Sequence, residues 1–275
     1  MTNKIDTEPL YDGEGVNAVP IGKSNKGFEY EVSLIKSLRN QGFTVSDPAG
    51  ADSAKADLEL TKGAKTIKFE LKEKLAAAFS QMNFDFNTTR REFYIDKTKP
   101  SAQKDAAKVM IGIAEQYGIL AKANAHWQPK KNMPAKFVLP KGSPFKEKDK
   151  SRKLDLKRFP DKYLGQGFGP AQEVEKYYNA KDTYYIQIKG KGLYYMCKDP
   201  EKYGCPRFSE SCADSNIRIR IKTNSASKGA GSFLMALKIS RLKASPINLD
   251  KDTSFLSSQI SVHHSSHLPP QYSII

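Results

Sequence analysis

Residues 56–72 read ADLELTKGAKTIKFELK, two alternating runs of apolar and polar side chains joined by a short polar segment. The joining segment contains a glycine, which suits a turn, so the sequence predicts a β-hairpin. Successive side chains of a strand point to opposite faces. One face is apolar and fit for a core, and carries Leu58, Leu60, Ile67, Phe69 and Leu71. The other face is charged, and carries Asp57, Glu59, Lys68, Glu70 and Lys72.

The pairing register decides which charged groups meet on that face. If Thr61 pairs with Thr66, Asp57 lies directly opposite Glu70, and a slip of two residues keeps the same groups on the same face. The pattern leaves two interpretations open. A half-buried antiparallel strand normally shows water a polar face, or the acids form a site.

The segments on either side of the hairpin favour a site. A helix is predicted over residues 24–41, with Gly42 just past its end. Glu31 falls in the middle of its apolar arc, where a carboxylate is costly unless a metal ion or a lysine pairs with it. A structural salt bridge is the alternative. A second helix is predicted over residues 73–82, and its Gln81 either points toward the same pocket or is simply solvated.

This order of a helix, two strands and a helix resembles the PD-(D/E)XK nuclease superfamily, whose fold is restriction-endonuclease-like. The resemblance covers about residues 24–125 and includes the Glu-X-Lys spacing of Glu70 and Lys72. Ala56 stands where many members have proline.

The resemblance implies a catalytic role for five residues. Asp57 and Glu70 would bind Mg²⁺, for which Mn²⁺ could substitute, and Glu31 would assist in the metal site. Lys72 would orient or activate the attacking water, and Gln81 would be a further catalytic residue. Carboxylate oxygens are the ligands that Mg²⁺ prefers, and a lysine two residues beyond Glu70 lies on the same strand face about 6–7 Å away.

The charge of the chain agrees with a nucleic-acid partner. Lys and Arg number 45 against 30 acids, a net charge of +15. Residues 126–160 and 216–243 hold much of the excess, and such patches attract polyanions. The alternatives are a cationic surface for solubility or contact with anionic lipid. The DNA-binding residues predicted from these patches are Lys150, Arg152, Lys153, Arg218, Arg220 and Lys222.

The organisation predicted from the sequence is an α/β (α+β) fold. It has a restriction-endonuclease-like core, a mixed sheet flanked by helices, and a C-terminal antiparallel β region. The predicted segments are a flexible arm (1–23), a catalytic core (24–125), a basic loop or linker (126–170), an antiparallel β region (171–243) and a flexible tail (244–275).

Other features bound the class of protein. No apolar run approaches 18 residues, so no membrane span is expected. The first 20 residues lack the charge and hydrophobicity of a secretory signal, so we expect a cytoplasmic protein. Cys197, Cys205 and Cys212 are widely spaced and are predicted to be free thiols.

The sequence therefore predicts a Mg²⁺-dependent DNA endonuclease. Its likeness to uncharacterised tailed-phage proteins suggests a phage or mobile-element origin, and the host cytoplasm if the chain is phage-encoded. One chain holds one candidate centre, so cutting both strands would need a homodimer or two successive nicks. The alternatives are a non-catalytic DNA-binding or packaging protein on a nuclease-like scaffold, and a nuclease specific for branched junctions or free ends.

Overall fold

A computed structural model describes residues 26–49, 56–87, 89–127, 144–158, 166–212, 216–223, 233–239 and 241–257. The helices are α1 (Lys26–Asn40), the 3₁₀ helix η1 (Pro100–Gln103), α2 (Asp105–Gln116), α3 (Ile119–Trp127), α4 (Phe145–Arg158), α5 (Gln172–Asn179), α6 (Phe208–Ser211) and α7 (Ser254–Ser257). The strands are β1 (Thr44–Val45), β2 (Leu58–Lys62), β3 (Lys65–Lys72), β4 (Ser80–Asn87), β5 (Glu92–Tyr94), β6 (Gln166–Pro170), β7 (Tyr185–Ile188), β8 (Gly192–Tyr195), β9 (Asn216–Thr223) and β10 (Phe233–Lys238).

The described strands form two five-stranded sheets. The first sheet has the order β1-β2-β3-β7-β8, and the second has the order β5-β4-β10-β9-β6. Every neighbouring pair is antiparallel except β3 and β7, which run parallel. The first sheet is therefore mixed, and with the helices beside it the chain has the α/β fold class predicted from the sequence.

One face of the first sheet packs against helix α1. The apolar face of the predicted hairpin is buried there, and Phe69 stacks on Tyr185 with ring centroids 5.4 Å apart. We call this cluster the α1 core. Its members include Tyr30, Leu34, Ile35, Leu38, Leu58, Leu60, Ile67, Phe69, Leu71, Tyr185, Leu193, Leu249 and Leu256.

The opposite face of the first sheet packs against α2, α3, α5 and the second sheet. Ile186 and Ile188 alternate with the residues of β7 that face the α1 core. We call this second cluster the central core. Its members include Phe79, Phe84, Phe93, Met110, Ile113, Val174, Tyr178, Ile186, Ile188, Tyr194, Phe208, Ile219 and Leu237. Glu70 and Lys72 pair in register with Ile186 and Ile188, so they point toward the central-core side.

The hairpin prediction is confirmed in register and in facing. Thr61 pairs with Thr66 and Leu58 with Phe69, the register that places Asp57 beside Glu70.

The segment 171–243 does not form one antiparallel region. Its strands β7 and β8 extend the hairpin sheet, and β9 and β10 join β4 in the second sheet. The prediction failed because β7 pairs in parallel with β3, which lies far away in the sequence. No local sequence pattern indicates such a pairing.

The helix predicted over residues 73–82 is wrong. The chain turns after β3, and strand β4 begins at Ser80. The Phe79 amide donates to the Leu237 carbonyl at 2.9 Å. The chain after the three alanines therefore pairs with β10 as a strand and does not form a helix. Tertiary pairing overrides the helix propensity of alanine at this point.

Residues 100–127 form η1, α2 and α3, and Gly118 between α2 and α3 has a φ of +60° that favours glycine. One further boundary differs from the prediction. The predicted loop 126–170 contains helix α4 and strand β6. Helix α4 is strongly charged, so an apolar periodicity could not identify it.

The first part of the predicted flexible tail is packed into the fold. The Leu193 amide donates to the Ile247 carbonyl at 2.7 Å, and buried Gln187 donates to Asn248 Oδ1 at 2.8 Å. At Gly192, with φ +103°, an added Cβ would lie 2.5 Å from the Ile247 oxygen. Residues 258–275 and the predicted arm 1–23 lie outside the described residues.

Candidate active site

The hairpin brings two acids and a lysine together where β2 begins and β3 ends. Asp57 immediately precedes β2, and its Oδ2 accepts a hydrogen bond from the Leu71 amide at 2.9 Å. The Lys72 ammonium lies 3.7 Å from Asp57 Oδ2 and forms a close ion pair with Glu70 Oε1. The three side chains are 18%, 7% and 14% exposed for Asp57, Glu70 and Lys72, so they interact in a largely desolvated site.

Glu31 of helix α1 belongs to the same electrostatic cluster. Burial and, to a smaller extent, the negative charge of Asp57 raise the pKa of Glu31 to about 8, against the opposing effect of Lys72. Its Oε2 atom is buried and has no hydrogen-bond partner. Binding of a cation or of a proton would stabilise a buried carboxylate of this kind.

Tyr178 and Lys181 complete the surroundings of Glu70, and neither was predicted from the sequence. The Tyr178 hydroxyl donates to Glu70 Oε1 at 3.0 Å and also lies within hydrogen-bonding reach of the Phe79 carbonyl. A phenol has one proton, so it donates to one of these acceptors at a time. The Lys181 ammonium lies 3.5 Å from Glu70 Oε2.

The signal that could have found these residues was weak. Helix α5 ends in a Tyr-Tyr pair followed by Asn-Ala-Lys, which reads as an ordinary amphipathic helix end. Only the parallel pairing of β7 with β3 places the end of α5 next to Glu70.

Burial and the neighbouring charges give Glu31, Asp57 and Glu70 different pKa values. Burial raises the pKa of Asp57 to about 6, helped by the charge of Glu70. Burial also raises the pKa of Glu70, but the charges of Lys72 and Lys181 outweigh that effect and leave it lowered. Burial lowers the pKa of Lys72, and Glu70 and Asp57 more than compensate. Glu70 and Lys72 are therefore the charged pair, and Glu31 holds its proton most tightly.

The oxygen donors fit a hard divalent cation in chemical type. Glu31 Oε2 has no hydrogen-bond partner, and Glu70 Oε2 has none besides the ion pair with Lys181. Carboxylate oxygens of this kind suit Mg²⁺ or Mn²⁺. Among the residues that the structure describes, however, no three His, Cys, Asp or Glu side chains are grouped as a ready-made metal site. A cation would therefore bind in competition with the two lysines that hold Glu70.

Gln81 is not brought into this cluster. It lies on strand β4 opposite Ala236, and its side chain is exposed. The prediction placed Gln81 on a helix that would point it toward the pocket, but this segment is strand β4, which directs the side chain elsewhere.

The basic residues predicted to bind DNA lie on two elements. Arg218, Arg220 and Lys222 are on strand β9, and Lys150, Arg152 and Lys153 are on helix α4, which packs beside β9. The Lys150 and Lys153 side chains are exposed. The other four are described in their backbone positions only.

An exposed aromatic residue accompanies these basic positions. Phe168 on β6 pairs in register with Arg218 and is 60% exposed, far more than any buried phenylalanine of the core. Its neighbour Gly169 is buried, because strand residues alternate between the two faces.

No protein-family model matches the sequence, and neither a curated protein nor a solved structure matches it. In the described part of the chain, no helix has the length and apolar character needed to cross a membrane.

Proposed function

We propose that the protein is a Mg²⁺-dependent DNA endonuclease that hydrolyses phosphodiester bonds at the Asp57–Glu70–Lys72 cluster. The observation that carries the proposal is the convergence of these three side chains with Glu31 in one largely buried site. Buried acids that share a site with a lysine and have perturbed pKa values are more common at active sites than elsewhere.

Hydrolysis requires water to attack phosphorus while one ester bond to a sugar oxygen breaks. A proton of the water is released to solvent and the leaving oxygen takes up a proton. A bound divalent cation would supply positive charge at the phosphate and make the water more acidic. Asp57, Glu70 and Glu31 would hold that cation. Lys72 would donate a hydrogen bond that orients the water or the scissile phosphate.

DNA is the proposed partner because the chain carries a net charge of +15. Helix α4 and strand β9 bring two basic segments side by side, so phosphate contacts along them would hold the duplex. Phe168 offers a ring that could stack on a base. With one centre per chain, double-strand cutting would proceed through a homodimer or through two nicks.

Nicking of supercoiled plasmid tests the proposal. The wild type should nick in the presence of Mg²⁺ or Mn²⁺ and stop when EDTA is added. Lys72→Ala and Asp57→Ala should each reduce the rate by about 10²-fold or more, while a duplex oligonucleotide is still bound. Lys68→Ala is the matched control, since Lys68 lies on the same strand but pairs with exposed Asp182 at 3.2 Å. Equal nicking by the wild type and both site variants would indicate a contaminant and refute the proposal.

A second candidate is a non-catalytic DNA-binding or packaging protein on a nuclease-like scaffold. The observation in its favour is that two ammonium groups already neutralise Glu70, and that the described residues contain no ready-made metal site. Salt-sensitive DNA binding without nicking under any divalent cation would support it. A panel of linear, nicked, branched and single-stranded DNAs would separate an endonuclease from a nuclease specific for junctions or free ends.

A further inference from the structure

Lys181 lies beside Glu70 at the edge of the candidate active site. It lies in the turn after helix α5, its side chain is 10% exposed, and its ammonium is 3.5 Å from Glu70 Oε2. The same ammonium lies 5.9 Å from the Tyr177 ring centroid and 5.6 Å from that of Tyr178. The lysine is therefore held between a carboxylate and two aromatic rings at the edge of the site.

The presence of a second buried lysine beside Glu70 is energetically unfavourable unless the lysine has a further partner. Lys72 already pairs with Glu70, and burying another ammonium costs free energy that one shared carboxylate repays only in part. A positive charge at this place is explained if the site also binds a phosphate, because the ammonium could then pair with a phosphate oxygen once a cation holds Glu70.

We infer that Lys181 is a second catalytic ammonium, which leaves Glu70 when a divalent cation binds there and then contacts a non-bridging oxygen of the scissile phosphate. This inference rests on the proposed nuclease function and names a further residue for the same site. The rings of Tyr177 and Tyr178 retain the ammonium at the site once Glu70 turns toward the cation. The positive charge thus lies where negative charge develops as the phosphate is attacked.

Two measurements with opposite expected directions test this role. Lys181→Gln removes the charge that competes for Glu70, so calorimetry with Mn²⁺ and no DNA should give at least about fivefold tighter binding than the wild type. The same variant should lose about 10²-fold in kcat for plasmid nicking with a smaller change in KM. Lys181→Arg keeps the charge and should recover most of the kcat.

Lys176→Gln is the matched control. Lys176 lies on helix α5 five residues earlier, is 59% exposed and pairs with Glu173 at 3.1 Å. Its loss should leave both Mn²⁺ affinity and nicking unchanged.

The outcomes distinguish this inference from the proposed function. If the wild type nicks, Lys72→Ala does not, and Lys181→Gln nicks at the wild-type rate, the role of Lys181 is overturned and the nuclease proposal stands. Weaker Mn²⁺ binding together with slower nicking in Lys181→Gln also overturns it, because that pattern indicates structural support only. A wild type that never nicks overturns both.

Discussion

Glu31→Gln should make the cation-free protein more stable at alkaline pH, and the effect follows from the position of one carboxylate. Burial and the charge of Asp57 raise the pKa of Glu31 from an ordinary 4.5 to about 8 in the folded protein. Below pH 4.5 the carboxyl is protonated in both the folded and the unfolded chain. Between pH 4.5 and 8 the unfolded chain loses this proton and the folded chain keeps it, so the free energy of unfolding falls as pH rises.

The size of this loss can be worked out from the pKa. A rise from 4.5 to about 8 corresponds to roughly 5 kcal/mol. Part of the Glu31 side chain reaches solvent, which screens the charge, so we expect a loss of about 2 kcal/mol. Glutamine has nearly the same shape and no ionisation, and the variant should escape the loss.

Urea unfolding at pH 5, 7 and 9 in EDTA would measure the effect as the difference between variant and wild type. Subtraction removes the contribution of Asp57, whose raised pKa of about 6 acts in both proteins. The difference should grow in favour of Glu31→Gln from pH 5 to 9. Glu29→Gln, which changes an exposed residue of the same helix, should give a flat difference. A flat curve for Glu31→Gln, or a variant less stable than wild type at pH 9, would refute the reasoning.

Three further changes have expected outcomes. Arg207→Ala removes the ion pair at 2.9 Å from the fully buried Glu175 carboxylate, which keeps the Ser209 amide and a weak Cys197 contact, and chemical denaturation should show a loss of about 3–5 kcal/mol. Phe168→Ala should weaken binding of a single-stranded oligonucleotide by about tenfold, measured by fluorescence anisotropy, and leave the Tm unchanged because the ring is exposed. Ending the chain at Lys243 removes the partners of buried Gln187 and should lower the Tm or prevent folding.

The hairpin at the centre of the site was predictable because its information is local. Alternation of side chains sets which face of β2 and β3 is buried, and the short turn sets the register. Asp57, Glu70 and Lys72 follow from that register. Glu31 was predictable from a helical period, since a carboxylate inside an apolar arc requires a partner.

The failures share a physical cause. Residues 73–82 have a composition that suits a helix, but pairing of β4 with β10 is worth more than local propensity. Residues 244–257 are held by hydrogen bonds to Gln187 and to strand β8, and by burial of Leu249 and Leu256 in the α1 core. In each case the partner lies more than 50 residues away in sequence.

The sequence alone determined the pairing and facing of the hairpin, the helix that carries Glu31, and the basic character of the chain, because each depends on residues a few positions apart or on composition. The tertiary structure alone decided that β7 lies parallel to β3, that Tyr178 and Lys181 surround Glu70, and that Gln81 lies outside the site. Those contacts depend on which distant apolar faces pack against one another. The side-chain pattern of a segment shows that one of its faces must be buried, but it does not show which other segment covers that face.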